Sequence, residues 1–218
     1  MSDTKEGILL AALRLFACRG YEAVSVSDIA GALGMAKSAL YKHYKSKRDI
    51  FEHIVDRMDR MDYERAKAYA VPEGTFAQME EAYRHTQLEQ IKRYSQAQFQ
   101  YWTEEEFPSG FRKMLTLEQY GSAEMAALYQ QYLGSGPVGY LEDLFGALCP
   151  AHPVPPRQLA LAFYGPMYLL ISLYDAAQEK SAIVLSAQQH IGQFIEGLKQ
   201  GNLERWGYNP QKSGAQDA

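Results

Sequence analysis

The chain has 218 residues, of which 47% are hydrophobic and 22% charged, with a formal net charge of -4. That balance is typical of soluble globular proteins, and the mild acidity gives no global sign of a nucleic-acid partner. The two cysteines, Cys18 and Cys149, stand far apart with no CxxC and no Cys/His cluster, which argues against a zinc site or a disulfide framework.

The charge is unevenly spread. Residues 1–54 hold eight Lys/Arg against six Asp/Glu, and the remainder holds 14 against 20. A surplus of +2 at the front and -6 behind suits a DNA-reading head on a body that avoids DNA. The opening residues lack the apolar core of a signal peptide. The apolar stretch Leu159 to Tyr174 falls short of the ~20 residues a spanning helix needs and contains Gly165-Pro166, so it reads as a buried helix. The expected location is the cytoplasm.

Periodicity predicts an all-α chain of about nine helices, with no alternating strand pattern. The first helix buries Ile8, Ala12, Leu15 and Phe16 and ends at Gly20. Ser25 and Asp28 form a capping box for a short second helix that ends near Ala32. Leu33-Gly34-Met35 makes a turn in which glycine supplies a left-handed backbone. A third helix runs from about Ala36 to Lys42, and Ser46 and Asp49 open a long fourth one that Val71-Pro72-Glu73-Gly74 stops.

Beyond the fourth helix, Met79, Tyr83, Gln87, Gln90, Tyr94, Ala97 and Tyr101 recur at helical spacing from Thr75 to Trp102. A shorter helix spans about 111–120. Another runs from Ser122 towards Leu148, kinked or split at Gly134-Ser135-Gly136-Pro137. After the proline-rich loop 149–156, two last helices are expected at 156–179 and 186–200. The division is a helix-turn-helix DNA-binding domain at 1–47, a helical effector-binding and dimerisation domain at 48–206, and a disordered tail at 207–218.

Residues 37–48 contain Lys37, Lys42, Lys45, Lys47 and Arg48 and no acidic residue. On a helix of two turns, about 10 Å long, Leu40 points inward while Lys37, Ser38 and Tyr41 share the outer face. Lys37 and Ser38 are then candidates for base edges, and Tyr41, His43 and Lys47 for phosphates. Ser25 and Ser27, at the start of the second helix, can add hydroxyl and backbone donors to a phosphate. Tyr44 reads as a core aromatic that holds the fourth helix.

Thr4, Ile8, Ala12, Phe16, Gly20-Tyr21, Ser25-Val26, Asp28-Ile29-Ala30, Leu33-Gly34, Leu40-Tyr41, His43-Tyr44, Lys47 and Ile50 together resemble the N-terminal domain of the TetR/AcrR family of bacterial transcriptional regulators. The resemblance covers residues 4–51. It implies an all-helical homodimer with a three-helix DNA head, a linking fourth helix and a variable C-terminal domain for ligand and dimer. The DNA-facing set is Ser25, Ser27, Lys37, Ser38, Ala39, Tyr41, Lys42, His43 and Lys47. Two departures are visible: Ala36 stands where members often carry a capping Ser, and Ser38-Ala39 stands where Gly-Thr is common. No operator sequence is inherited across that difference.

In the body, Tyr83, Tyr94, Tyr101, Trp102, Phe107, Tyr120, Tyr129, Tyr164 and Tyr168 are candidates to line a cavity for a small-molecule effector. The competing assignment makes them core aromatics with hydroxyls at the rim. Leu159, Phe163, Met167, Leu170, Tyr174, Ile191, Phe194, Ile195 and Leu198 offer more apolar surface than one inward stripe requires. They are the candidates for a four-helix dimer interface, and a twofold dimer implies a palindromic operator. No phosphate loop, nucleophile elbow or metal-ligand spacing is found, so no catalytic residue, cofactor or metal is expected. The resulting reading is a DNA-binding transcriptional regulator, a repressor released by an effector. Its rivals are an enzyme on the same scaffold and a protein- or ligand-binding module that has lost its operator.

Overall fold

The computed structural model describes residues 3–72, 81–83 and 85–200, and among these there is no strand. Ten helices have defined bounds: α1 (Asp3–Arg19), α2 (Val26–Ala32), α3 (Lys37–Leu40), α4 (Lys47–Ala68), α5 (Leu88–Thr103), α6 (Glu106–Glu118), α7 (Ala123–Leu133), α8 (Ser135–Leu148), α9 (Pro156–Ala176) and α10 (Lys180–Gln200). The expected segment 122–148 is split rather than kinked. Gly134 leaves the helical backbone region at φ -115 and ψ -110, and Pro137 then sits in the first turn of α8, where no intrahelical N–H is needed.

Two other expectations change. The helix expected from Thr75 to Trp102 is interrupted at Thr86-Gln87, and its Met79 lies outside the described residues. There Thr86 Oγ1 donates to the Ala82 carbonyl at 2.8 Å, and the Gln90 side chain accepts from the Gln87 N–H at 2.7 Å. Side chains thus satisfy groups that the helix ladder gives up. α6 begins at Glu106, earlier than expected, because Pro108 lies in its first turn and Gly110 belongs inside it: a Cβ on Gly110 would stand 3.2 Å from Leu13 Cγ. α9 runs through Pro166, as the expected helix at 156–179 does, and ends at Ala176. The expected tail, 207–218, lies outside the described residues.

The chain forms two compact units, one from 1–64 with 104–132 and the other from 65–103 with the residues from 133 onward. The expected boundary at 47/48 falls just after α3, whereas packing groups α1, α2 and α3 with most of α4 and with the later segment 104–132.

In the first unit, α1 buries Ile8, Leu9, Ala12, Leu13 and Phe16, a stripe wide enough to meet both α2 and α6. α4 contributes Ile50, Phe51, Ile54 and Met58 at helical spacing, all buried. Charged groups tie the stretch 104–132 to the head. Arg14 pairs with Glu106, and the Arg48 guanidinium meets both oxygens of Glu124 at 2.6 Å. The Tyr21 N–H donates to Glu118 at 2.8 Å.

In the second unit, α9 packs on α8, α10 and α5, and α10 also meets α5. Phe145, Phe163 and Phe194 form its centre, with ring centroids 4.9 to 5.7 Å apart. His190 Nε2 donates to the Phe163 carbonyl at 2.8 Å, joining α10 to α9; burial pushes its imidazole pKa down. This packing corrects the expected dimer set. Leu159, Phe163, Met167, Tyr174, Ile191, Phe194, Ile195 and Leu198 are buried within one chain, and Leu170 is half-buried. They form the inward stripes of α9 and α10. The outward apolar residues are Leu161, Tyr168, Leu169 and Leu173 on α9 and Leu185 on α10.

Candidate nucleic-acid interface

The head is assembled from short-range devices. Ser25 Oγ accepts from the Asp28 N–H at 3.1 Å while the Asp28 carboxylate accepts from the Ser25 N–H at 2.8 Å, which completes the expected capping box. The Ser25 hydroxyl also donates to Asp28, and these bonds hold the Asp28 carboxyl below the usual carboxylate range. At the far end of α2, Gly34 has φ +63. The Met35 N–H returns to the Ala30 carbonyl at 3.0 Å, so the turn reverses the chain within three residues.

α3 is shorter than expected. Its α-helical part is Lys37–Leu40, Ala36 makes no side-chain cap, and the chain continues as turns. The Lys42 and His43 N–H groups bond three residues back, to Ala39 and Leu40, at 3.2 and 2.9 Å. Without a capping hydroxyl at position 36 the first turn has one fewer satisfied donor, and tight turn bonds replace the second helical turn. Leu40 and Tyr44 are buried as expected, and the Tyr44 hydroxyl donates to the Lys5 carbonyl at 3.2 Å.

Ser25, Ser27, Lys37, Ser38, Tyr41 and Lys42 are exposed, while Ala39 and His43 are half-buried. Tyr41 is 45% exposed, with the Lys37 ammonium 5.9 Å from its ring centre. Lys42 and Lys45 make no ion pair among the described residues.

Two members of the basic run are turned to internal use. The Lys47 side chain is 22% exposed. Its ammonium donates to the Tyr21 carbonyl at 2.9 Å and lies 4.2 Å from the Tyr21 ring centre. A phosphate contact from Lys47 would compete with these bonds. Arg48 is consumed by Glu124 and by Glu52 at 2.8 Å. The sequence around 47 and 48 gives no sign of this, because Tyr21 and Glu124 are 26 and 76 residues away.

The nine aromatic candidates for an effector site divide between the two units. Phe107 and Tyr129 are buried in the first, with the Arg57 guanidinium 4.1 Å from the Phe107 ring centre. Tyr120 is 91% exposed in the turn after α6 and leaves the set, since a pocket wall must shield its ligand from water. Tyr168 also faces outward. In the second unit the rings stand in pairs, Tyr83 with Tyr140, Tyr94 with Tyr69 and Tyr101 with Trp102, at 5.5 to 5.8 Å. The Arg65 guanidinium covers Tyr101 at 4.3 Å. Tyr164 donates its hydroxyl to the Leu133 carbonyl at 3.0 Å. Burial, with the Asp143 charge second, pushes the Tyr83 hydroxyl up to about 12, so it stays a neutral donor. Among the described residues no group of three or more His, Cys, Asp or Glu could hold a metal ion.

Residues 8–54 match the family model described as bacterial regulatory proteins, tetR family. Over 52 residues the chain is 42% identical to the HTH-type transcriptional regulator AcrR of Shigella flexneri, covering 24% of each protein. It is 39% identical over 56 residues to the HTH-type transcriptional repressor BepR of Brucella suis biovar 1, covering 26% of this chain and 27% of that protein. The match thus spans about a quarter of the length of these curated relatives. Among solved structures, the fatty acid degradation regulator FadR of Bacillus halodurans superposes with a TM-score of 0.58 at 17% identity, over 88% of this chain and 95% of that one. At that identity the likeness shows a shared fold.

Proposed function

We propose that this chain, whose residues 8–54 match the family model of bacterial regulatory proteins, tetR family, is a cytoplasmic transcriptional regulator that reads a palindromic operator as a homodimer. The observation that carries this reading is the exposed edge of α2, α3 and the turn to residue 45, where no acidic residue occurs from 29 to 48. In this reading Lys37, Ser38 and Ala39 face base edges. Ser25, Ser27, Tyr41, Lys42 and His43 take phosphates, and Lys47 acts mainly by holding the Tyr21 turn. The mode is repression, as named for BepR, and a small-molecule effector bound among the body aromatics releases the operator. The homodimer forms through the outward residues Leu161, Leu169 and Leu173 of α9 and Leu185 of α10, large apolar side chains that stand exposed in the single chain.

The test is selection of bound sequences from random duplex DNA, followed by titration of the winner at several salt concentrations. An enriched palindrome, with affinity falling steeply as salt rises, is expected. Absence of enrichment refutes operator reading. For the effector, a compound that binds the protein yet leaves operator affinity unchanged refutes release by that compound, since coupling requires different affinities for the two states.

A further inference from the structure

Tyr21 is held from several sides within the first unit. Its N–H donates to Glu118 Oε1 at 2.8 Å, and its carbonyl accepts from the Lys47 ammonium at 2.9 Å. Its ring lies 5.1 Å from both Phe16 and Phe51, centre to centre. Gly20, just before it, has φ +82, a conformation that glycine adopts without strain at a helix end. At the same position the Glu118 carboxylate, the end of a flexible side chain, occupies the space where a Cβ on Gly20 would stand. The space over Gly20 is filled by a carboxylate from the last residue of α6, 97 positions along the chain from Tyr21.

The two partners of Tyr21 connect different parts of the head. Lys47 is the first residue of α4, directly after the segment that carries α3. On the other side, Tyr21 leads through the buried Val24 to Ser25, which caps α2. The mutual placement of α2 and α4 therefore passes through the backbone of Tyr21, and α3 is strung between them.

We propose that Glu118 is a positioning residue for DNA reading: by gripping the Tyr21 N–H across Gly20, it sets the 20–24 turn and thereby the pose of α2 and α3. The proposal rests on the operator-binding reading above and assigns that reading a control point. A shift at the end of α6 large enough to break one 2.8 Å hydrogen bond frees the turn while the apolar contacts of α1 remain. α6 can thus alter the head without unfolding it.

The test uses the full chain with E118A and E118Q, comparing the hydrogen-exchange rate of the Tyr21 amide, affinity for the selected duplex, and thermal melting. In E118A the Tyr21 amide should exchange faster and operator affinity should fall about tenfold, the effect of losing one charge-assisted hydrogen bond. Melting should fall by about 3–6 °C. In E118Q, whose amide oxygen still accepts, most of both losses should be recovered. Unchanged operator affinity in E118A overturns the proposal. So does a matching loss of affinity and stability that E118Q fails to restore, which makes Glu118 a general structural contact. If E118A does not fold, E118D, which keeps the charge but falls one methylene short, replaces it with the same expectations. If the unaltered protein enriches no duplex, operator reading itself fails. The Tyr21 exchange rate then decides on the grip alone, and an unchanged rate refutes it.

Discussion

Ser25 supplies half of the capping box, so Ser25→Ala should cost about 1 kcal/mol, read as a fall of about 2–4 °C in melting temperature. Asp28 supplies the other half, and its bonds to Ser25 hold its carboxyl below the ordinary range. A depressed folded-state pKa means that the folded chain binds fewer protons than the unfolded one. Its contribution is present above the ordinary carboxylate value of about 4 and is lost as pH falls through the folded value. Melting measured from pH 6 down to pH 3 should therefore decline less steeply in Asp28→Asn than in the unaltered protein. Lys47 differs in kind. Its ammonium bridges to the Tyr21 carbonyl, so Lys47→Ala should reduce both melting temperature and operator affinity. Lys37→Ala should leave melting unchanged and alter preference at particular bases in the selected sequences.

At the scale of elements, α1 and α6 meet closely at Gly110, where a Cβ would stand 3.2 Å from Leu13 Cγ. Gly110→Val should force the two helices apart and cost about 1–3 kcal/mol, measurable by denaturant titration. The head's elements are legible in the sequence because their signals are local. Ser25 and Asp28 lie three residues apart, and Gly34 turns the chain within its own neighbourhood. α3 is legible only in part: its apolar position, Leu40, is right, but two helical turns are too many. The switch to bonds spanning three residues after Leu40 leaves no mark in composition. The start of α6 is missed because Pro108 and Gly110 have the same letters in a loop as in a first turn and a tight helix crossing. The internal use of Lys47 and Arg48 is invisible for a different reason, since their partners come from distant parts of the chain.

For the molecule as a whole, α9 and α10 show where pattern ceases to inform. α9 carries apolar residues on more than one face, with Leu161, Leu169 and Leu173 exposed opposite a buried stripe, so the sequence marks an excess of apolar surface without saying which stripe faces out. Leu169 and Leu173 are 58% and 46% exposed, while Phe194 is fully buried. Leu169→Glu should therefore yield a folded monomer by analytical ultracentrifugation, with helical content unchanged. Phe194→Ala should cost about 3–5 kcal/mol and lower the melting temperature directly. A dimer that persists in Leu169→Glu refutes the assignment of this face. The grouping of 104–132 with the N-terminal helices has a practical consequence for protein engineers. Chimeric sensors are commonly imagined as a DNA-reading head joined to a foreign body at one splice point. Here a graft that ended at residue 47 or 54 would leave behind Glu106, Glu118 and Glu124, the anionic half of the head's own fastening. A working transplant of this head needs two excisions and must carry a second, non-contiguous insert with it.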